Sequence, residues 1–175
     1  SPQIVDSRHP FPFLNNKDIY YIAQLYNKGD GVSFGIIPIS SRFERVLFIR
    51  DGETTCFAFI EELVAHYASA IFNTSTIQKK CLFRVTRNAD ITVDEGLFDF
   101  DIDFRGVMEE MLKKRRRLDV VRLQFSSRPG DRLSAFLCKK LKVGDDCFSI
   151  QSIPLDFSFG FALPSALDPH KEQKN

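Results

Sequence analysis

The stretch from Ile19 to Ile39 constrains the fold more than any other part of the chain. Ile19 to Leu25 is rich in Tyr and Ile, and Val32 to Ile39 is rich in β-branched residues and Phe. Between them, Asn27-Lys28-Gly29-Asp30-Gly31 supplies the Gly and Asn that a tight reversal needs for positive φ. The two runs therefore predict an antiparallel hairpin. A second hairpin is predicted where Val46-Leu47-Phe48-Ile49 leads through Asp51-Gly52 into Thr54-Thr55-Cys56-Phe57.

Beyond Phe57 the hydrophobic period changes. Ile60, Leu63, Val64, Tyr67, Ala68, Ile71 and Phe72 recur at helical spacing and predict a helix over about 60–72. Cys81 to Thr86 alternates like a strand, and residues 88–103 read as an acidic connection. A second helix is predicted from Phe104 to Arg117, with the basic run Lys113 to Arg117 at the end its dipole favours. Val120 to Phe125 reads as a strand, and Pro129-Gly130-Asp131 opens a third helix that Gly144 would stop. Cys147 to Ile153 reads as a last strand, and residues 164–175 as a tail or linker. This order predicts an α+β fold: a mixed, largely antiparallel sheet built from hairpins, with about three helices packed on it.

At 175 residues the chain suits one domain, placed at 1–163 ahead of the tail. Hydrophobic residues at 43% and charged residues at 27% exclude a disordered or membrane-spanning chain. A net charge of +1 gives no field that would favour nucleic acid. Eighteen Phe with no Trp read as core filling. Cys56, Cys81, Cys138 and Cys147 lack zinc or redox spacing and sit among apolar residues, so buried reduced thiols and a cytoplasmic location are expected. The start, Ser1-Pro2-Gln3, shows no initiator Met or signal peptide and reads as part of something longer.

No complete catalytic set is visible. His9 precedes Pro10, His66 flanks the apolar helix face and His170 lies in the tail. No nucleophile elbow, phosphate loop or zincin helix is present, and Asp99-Phe100-Asp101-Ile102-Asp103 lacks the Gly and distal Glu of a calcium loop. The run Lys113 to Arg117 suits either a polyanion or a solvated helix end. Arg84 and Arg87 are the candidate phosphate contacts, because guanidinium groups near a strand end can fork onto phosphate oxygens. They can equally pair with Asp90 and Asp94.

Two long segments are more specific. Pro2-Gln3-Ile4-Val5-Asp6-Ser7-Arg8-His9-Pro10-Phe11-Pro12-Phe13-Leu14-Asn15-Asn16 resembles the start of the middle, or head, domain of bacterial polyphosphate kinase. Phe83-Arg84-Val85-Thr86-Arg87-Asn88-Ala89-Asp90-Ile91-Thr92-Val93-Asp94-Glu95 resembles an internal segment of the same domain. Glu62-Leu63-Val64-Ala65-His66-Tyr67, Val121-Arg122-Leu123 and Pro154-Leu155-Asp156 follow in the matching order. Phe157-Ser158-Phe159-Gly160-Phe161 departs from it, standing where the family has a more polar helix.

The resemblance implies an enzyme that moves the terminal phosphate of ATP reversibly onto inorganic polyphosphate, using Mg2+ and a phosphohistidine. It places the catalytic histidines and the ATP and Mg2+ ligands in later, phospholipase-D-like domains. It therefore assigns no catalytic, cofactor or metal residue here. It also implies a fold similar to phosphohistidine phosphatase, contacts with the enzyme's other domains and a part in homo-oligomer formation. Three readings follow: a structural and dimerisation domain that supports the active site; a polyphosphate-binding module using Arg84, Arg87 and the 113–117 run; and, remotely, a phosphohistidine phosphatase.

Overall fold

The structure is a computed structural model and describes residues 1–29, 31–39, 44–52, 54–88, 106, 119–151 and 154–161. Among the described residues, apart from the helical Gly106, eight strands and two α-helices follow in chain order: β1 (Gln3–Val5), β2 (Ile19–Asn27), β3 (Gly31–Ile39), β4 (Val46–Asp51), β5 (Thr54–Phe59), α1 (Ile60–Ile71), β6 (Thr76–Arg87), β7 (Val120–Phe125), α2 (Asp131–Leu141) and β8 (Phe148–Ile150). Six strands form one sheet in the order β1-β3-β2-β6-β7-β8, and β4 and β5 form a separate hairpin. Every pairing in the large sheet is antiparallel except β7 with β8, which α2 connects as a crossover.

The predicted hairpin is the β2–β3 pair, with Ile19 opposite Ile39 and Asn27 opposite Gly31. Gly31 has φ of 78°, the left-handed value the turn requires. β2 lies between β3 and β6, and both its faces are covered. Tyr20 and Ile22 join Phe34, Ile36, Phe83 and Val85 beneath Leu133 and Leu137 of α2. Ile19, Tyr21, Ala23 and Leu25 join Ile37, Ile39 and Leu155 beneath Ala68 of α1 and Phe72 just beyond it. This burial on both faces explains why the strand reads as a nearly continuous apolar run.

Close packing needs one glycine in particular. Gly35 of β3 lies under Phe72, and a Cβ built there would overlap the Phe72 ring. On the opposite face, Phe34 stacks on Phe136 of α2 with centroids 3.7 Å apart.

Several expectations are corrected. The proline-rich segment 1–17 carries no strand pattern in the sequence and reads as loop, yet Gln3–Val5 within it pairs with β3. β6 begins at Thr76 rather than Cys81, because the polar stretch before Cys81 still pairs its backbone with β2. The last strand is shorter than 147–153, as Cys147 closes a 3-10 turn before β8. α2 ends at Leu141, three residues before Gly144, and is capped by Lys142 in the left-handed conformation with φ of 57°. Cys56 is exposed, and Cys138 and Cys147 are half-buried. Cys81 is buried, and that burial pushes its thiol up to about 12, leaving it chemically quiet.

The helix expected over Phe104 to Arg117 lies outside the described residues except for Gly106, which is helical. The acidic connection from residue 89 and the tail also lie outside them. Among the described residues, no helix is long and apolar enough to cross a membrane.

Candidate functional site: two arginines on opposite faces of one strand

Arg84 and Arg87 both lie on β6, but the pleat sends them to opposite faces. Arg84 is paired with Ile19 on the α1 face, and Arg87 is paired with Val120 on the α2 face. The structure therefore does not bring the two guanidinium groups together as one fork.

Each arginine instead joins segments distant in the chain. Arg84 Nε donates to the Lys17 carbonyl at 2.9 Å, and its Nη1 donates to the Leu155 carbonyl at 2.7 Å. Its Nη2 lies 3.8 Å from Asp156 Oδ1. The Lys17 backbone N–H donates in turn to Val85 at 2.8 Å, with Lys17 held at a φ of 66°. Arg87 Nε donates to the Leu14 carbonyl at 3.0 Å, and its backbone N–H donates to Asn16 Oδ1 at 2.9 Å. Its guanidinium carbon sits 4.7 Å from the centre of the Phe13 ring. Burial draws the Arg87 pKa below its ordinary value, with Tyr20 and Asp119 acting the other way.

The segment that arrives before β2 and the segment that leaves after β8 are thus both fastened to one strand. Asp90 and Asp94, the alternative partners expected for these arginines, lie outside the described residues. Asp156 is the acid that Arg84 meets.

A third arginine completes the outgoing side. Arg45 binds Glu61 Oε1 through Nη2 at 2.6 Å and through Nε at 3.0 Å, with side chains only 15% and 7% exposed. Its Nη1 donates to the Asp156 carbonyl and lies 3.2 Å from Asp156 Oδ2. The same guanidinium sits between Phe59 and Phe159, at 5.7 and 5.4 Å from their ring centres. Burial works to raise the Asp156 pKa. Hydrogen bonds from Ser158 and the charges of Arg84 and Arg45 outweigh it, so the net shift is downward.

Ile60, Val64, Ala68 and Phe72 of the predicted α1 face pack on the sheet, but this cluster shifts the buried side of the helix from what its sequence predicts. Glu61 and Ala68 are buried, whereas Tyr67 and Ile71 are exposed. Glu62 caps the helix start by accepting the Phe59 backbone N–H at 3.3 Å. Phe157 to Phe161, where a polar helix would stand, instead includes a 3-10 turn that brings Phe159 edge-on to Phe59 at 4.8 Å.

Arg45, Glu61 and Asp156 were not picked out by spacing or motif chemistry, although Asp156 lies in the Pro-Leu-Asp match. No local signal marks them, because the partners come from three separate parts of the chain. The histidines are peripheral. His9 is exposed, and its Nδ1 lies 3.0 Å from Asp6. Asp6 also accepts the backbone N–H groups of Arg8 and His9, which hold its carboxyl below the usual range. His66 is exposed and lies edge-on to Tyr67. His170, the Asp99–Asp103 run and the Lys113–Arg117 run lie outside the described residues. Among the described residues no three metal-ligating side chains converge, and the carboxylates of Glu61 and Asp156 are engaged by guanidinium groups.

The architecture is that of an α+β domain whose incoming and outgoing segments are clamped to the sheet. The family model described as Polyphosphate kinase middle domain matches residues 1–163. The chain therefore belongs to the polyphosphate kinase middle-domain family. It is 30% identical to polyphosphate kinase of Staphylococcus epidermidis over 173 residues, covering 98% of this chain and 23% of that one. It is 31% identical to polyphosphate kinase of Bacillus cereus over 176 residues, covering 97% and 25%. The crystal structure of polyphosphate kinase from Porphyromonas gingivalis shares the fold, with a TM-score of 0.64 at 11% identity over 89% of this chain and 21% of that one. The chain thus spans about a quarter of the length of these curated relatives.

Proposed function

We infer that the chain serves as the middle domain of an enzyme that transfers the terminal phosphate of ATP reversibly to inorganic polyphosphate. Its own part is to hold the domains before and after it at a set separation, as the structural support of a homo-oligomeric, cytoplasmic enzyme. The phosphohistidine, the ATP site and the Mg2+ ligands belong to other domains of that enzyme.

One observation carries this reading. Arg84 and Arg87 tie the incoming residues Leu14 and Lys17 and the outgoing residue Leu155 to the same strand. A domain fastened in this way transmits position between its neighbours rather than acting as a loose spacer. The kinship of its fold with phosphohistidine phosphatase belongs to the same proposal. An independent phosphatase would need a poised histidine base, and the exposure of His9 and His66 speaks against one.

The test is to incubate the pure chain with ATP and Mg2+ and follow polyphosphate formation. No product is expected. Sustained synthesis by a sample free of other kinases would place chemistry in this domain and overturn the reading. Hydrolysis of a phosphohistidine substrate would favour the phosphatase instead.

A further inference from the structure

A cleft of about 310 Å³ opens beside Arg87, with Phe11, Phe13, Asp119, Lys140 and Lys142 in its walls. That volume lies near the lower end of small-ligand pockets, which begin at about 300 Å³. Arg87 is oriented there by the Leu14 carbonyl and the Phe13 ring. Lys140 comes from the last turn of α2, and Lys142 from its left-handed cap. Both lysines are exposed.

The charge balance favours an anion. Among the described residues of its walls, Arg87, Lys140 and Lys142 stand with one carboxylate, Asp119. The partial negative charge at the α2 terminus, about half a unit, does not cancel that excess. One well-placed guanidinium with two mobile ammonium groups suits a ligand whose charge is spread along its length: the arginine orients one group and the lysines follow the rest.

We propose that this cleft binds a linear chain of phosphates. The choice of a phosphate chain over other polyanions rests on the polyphosphate kinase reading. The site lies on the α2 face alone, so Arg84 takes no part in it. The basic run Lys113 to Arg117 ends two residues before Asp119 in the sequence and is the rival anion-binding element.

The test is to titrate the 175-residue chain with tripolyphosphate at low salt, by calorimetry and by amide chemical shifts. The site predicts saturable binding, with the largest shifts at Phe13, Arg87, Lys140 and Lys142. Affinity should fall about tenfold or more when salt rises from about 50 to about 200 mM, as counterion release requires. Lys140→Glu with Lys142→Glu should weaken binding at least about tenfold with an unchanged circular dichroism spectrum, and Lys140→Ala should weaken it less. Replacing Lys113, Lys114, Arg115, Arg116 and Arg117 by Gln should leave the shifts at the cleft in place.

Absence of saturable binding would overturn the proposal. So would binding that vanishes with the basic run but survives both cleft substitutions. Binding of ATP without binding of tripolyphosphate would overturn it too, by requiring the base rather than the phosphates. None of these failures touches the middle-domain reading, which needs no phosphate on this domain.

Discussion

Arg84 donates from Nη1 to the carbonyl of Leu155 at 2.7 Å, joining β6 to a residue 71 positions further along the chain. The same side chain reaches back 67 positions to Lys17. A guanidinium shared by two distant carbonyls is a crosslink in all but covalency, and its removal should be felt along both segments.

Replacing Arg84 with Met keeps the apolar stem and removes every donor. Hydrogen bonds from charged groups contribute about 1.5–3 kcal/mol each when buried. Partial exposure lowers this, so Arg84→Met should destabilise the chain by about 2–3 kcal/mol in urea unfolding. Arg84→Lys should recover only part of the loss, since an ammonium cannot span both carbonyls in the same plane.

Arg45 and Glu61 form a buried pair, and Glu61 Oε2 has no hydrogen-bond partner among the described residues. Arg45→Met would leave the carboxylate unpaired, which costs about 3–5 kcal/mol. Removing both charges with Arg45→Met and Glu61→Met should cost less than the single change. A double-mutant cycle by chemical denaturation measures the difference.

Gly35 leaves no room for a methyl group beneath Phe72. Gly35→Ala should destabilise by about 1–3 kcal/mol through overpacking. Phe72→Leu in the same chain should relieve part of that cost. Additive effects in thermal unfolding would show that the two positions do not touch.

Asp156 gives the fold an acid-sensitive contact. Its folded pKa lies below the ordinary 3.8, so the unfolded chain takes up this proton first as pH falls. The stability it contributes is full above the unfolded value and is lost as pH drops below 3.8 through the folded one. Asp156→Asn should therefore be less stable than the parent near neutrality and approach it near about pH 2–3. Equal differences at both pH values would exclude the effect.

Turn chemistry and period made some of the fold legible. The glycines between β2 and β3 marked the first hairpin, and Asp51-Gly52 marked the second. The extent of α1 was legible too, and Ile60, Val64, Ala68 and Phe72 of its predicted face pack on the sheet, but the burial of Glu61 and the exposure of Tyr67 and Ile71 were not foreseen. Glu61 is turned inward by Arg45, and nothing in a helical pattern reveals a partner 16 residues earlier. β1 escaped notice because its three residues lie in a proline-rich segment and become a strand only by pairing with β3.

Arg84 and Arg87 stood out as residues that bind something. Which atoms they meet depends on the pleat and on Leu14, Lys17 and Leu155, which are too far away in sequence for local pattern to show. Lys140 and Lys142 carry no sequence motif, and only the fold sets them in the walls of one cleft with Phe13.

Amide hydrogen exchange tests the clamping of both segments to β6 most directly. In Arg84→Met combined with Arg87→Met, protection should fall at Lys17, which donates to Val85, and at Ser158 beyond the outgoing segment, while the β2–β3 amides keep theirs. Unchanged protection at Lys17 and Ser158 would contradict the account, because the arginines would then not be what holds those segments in place.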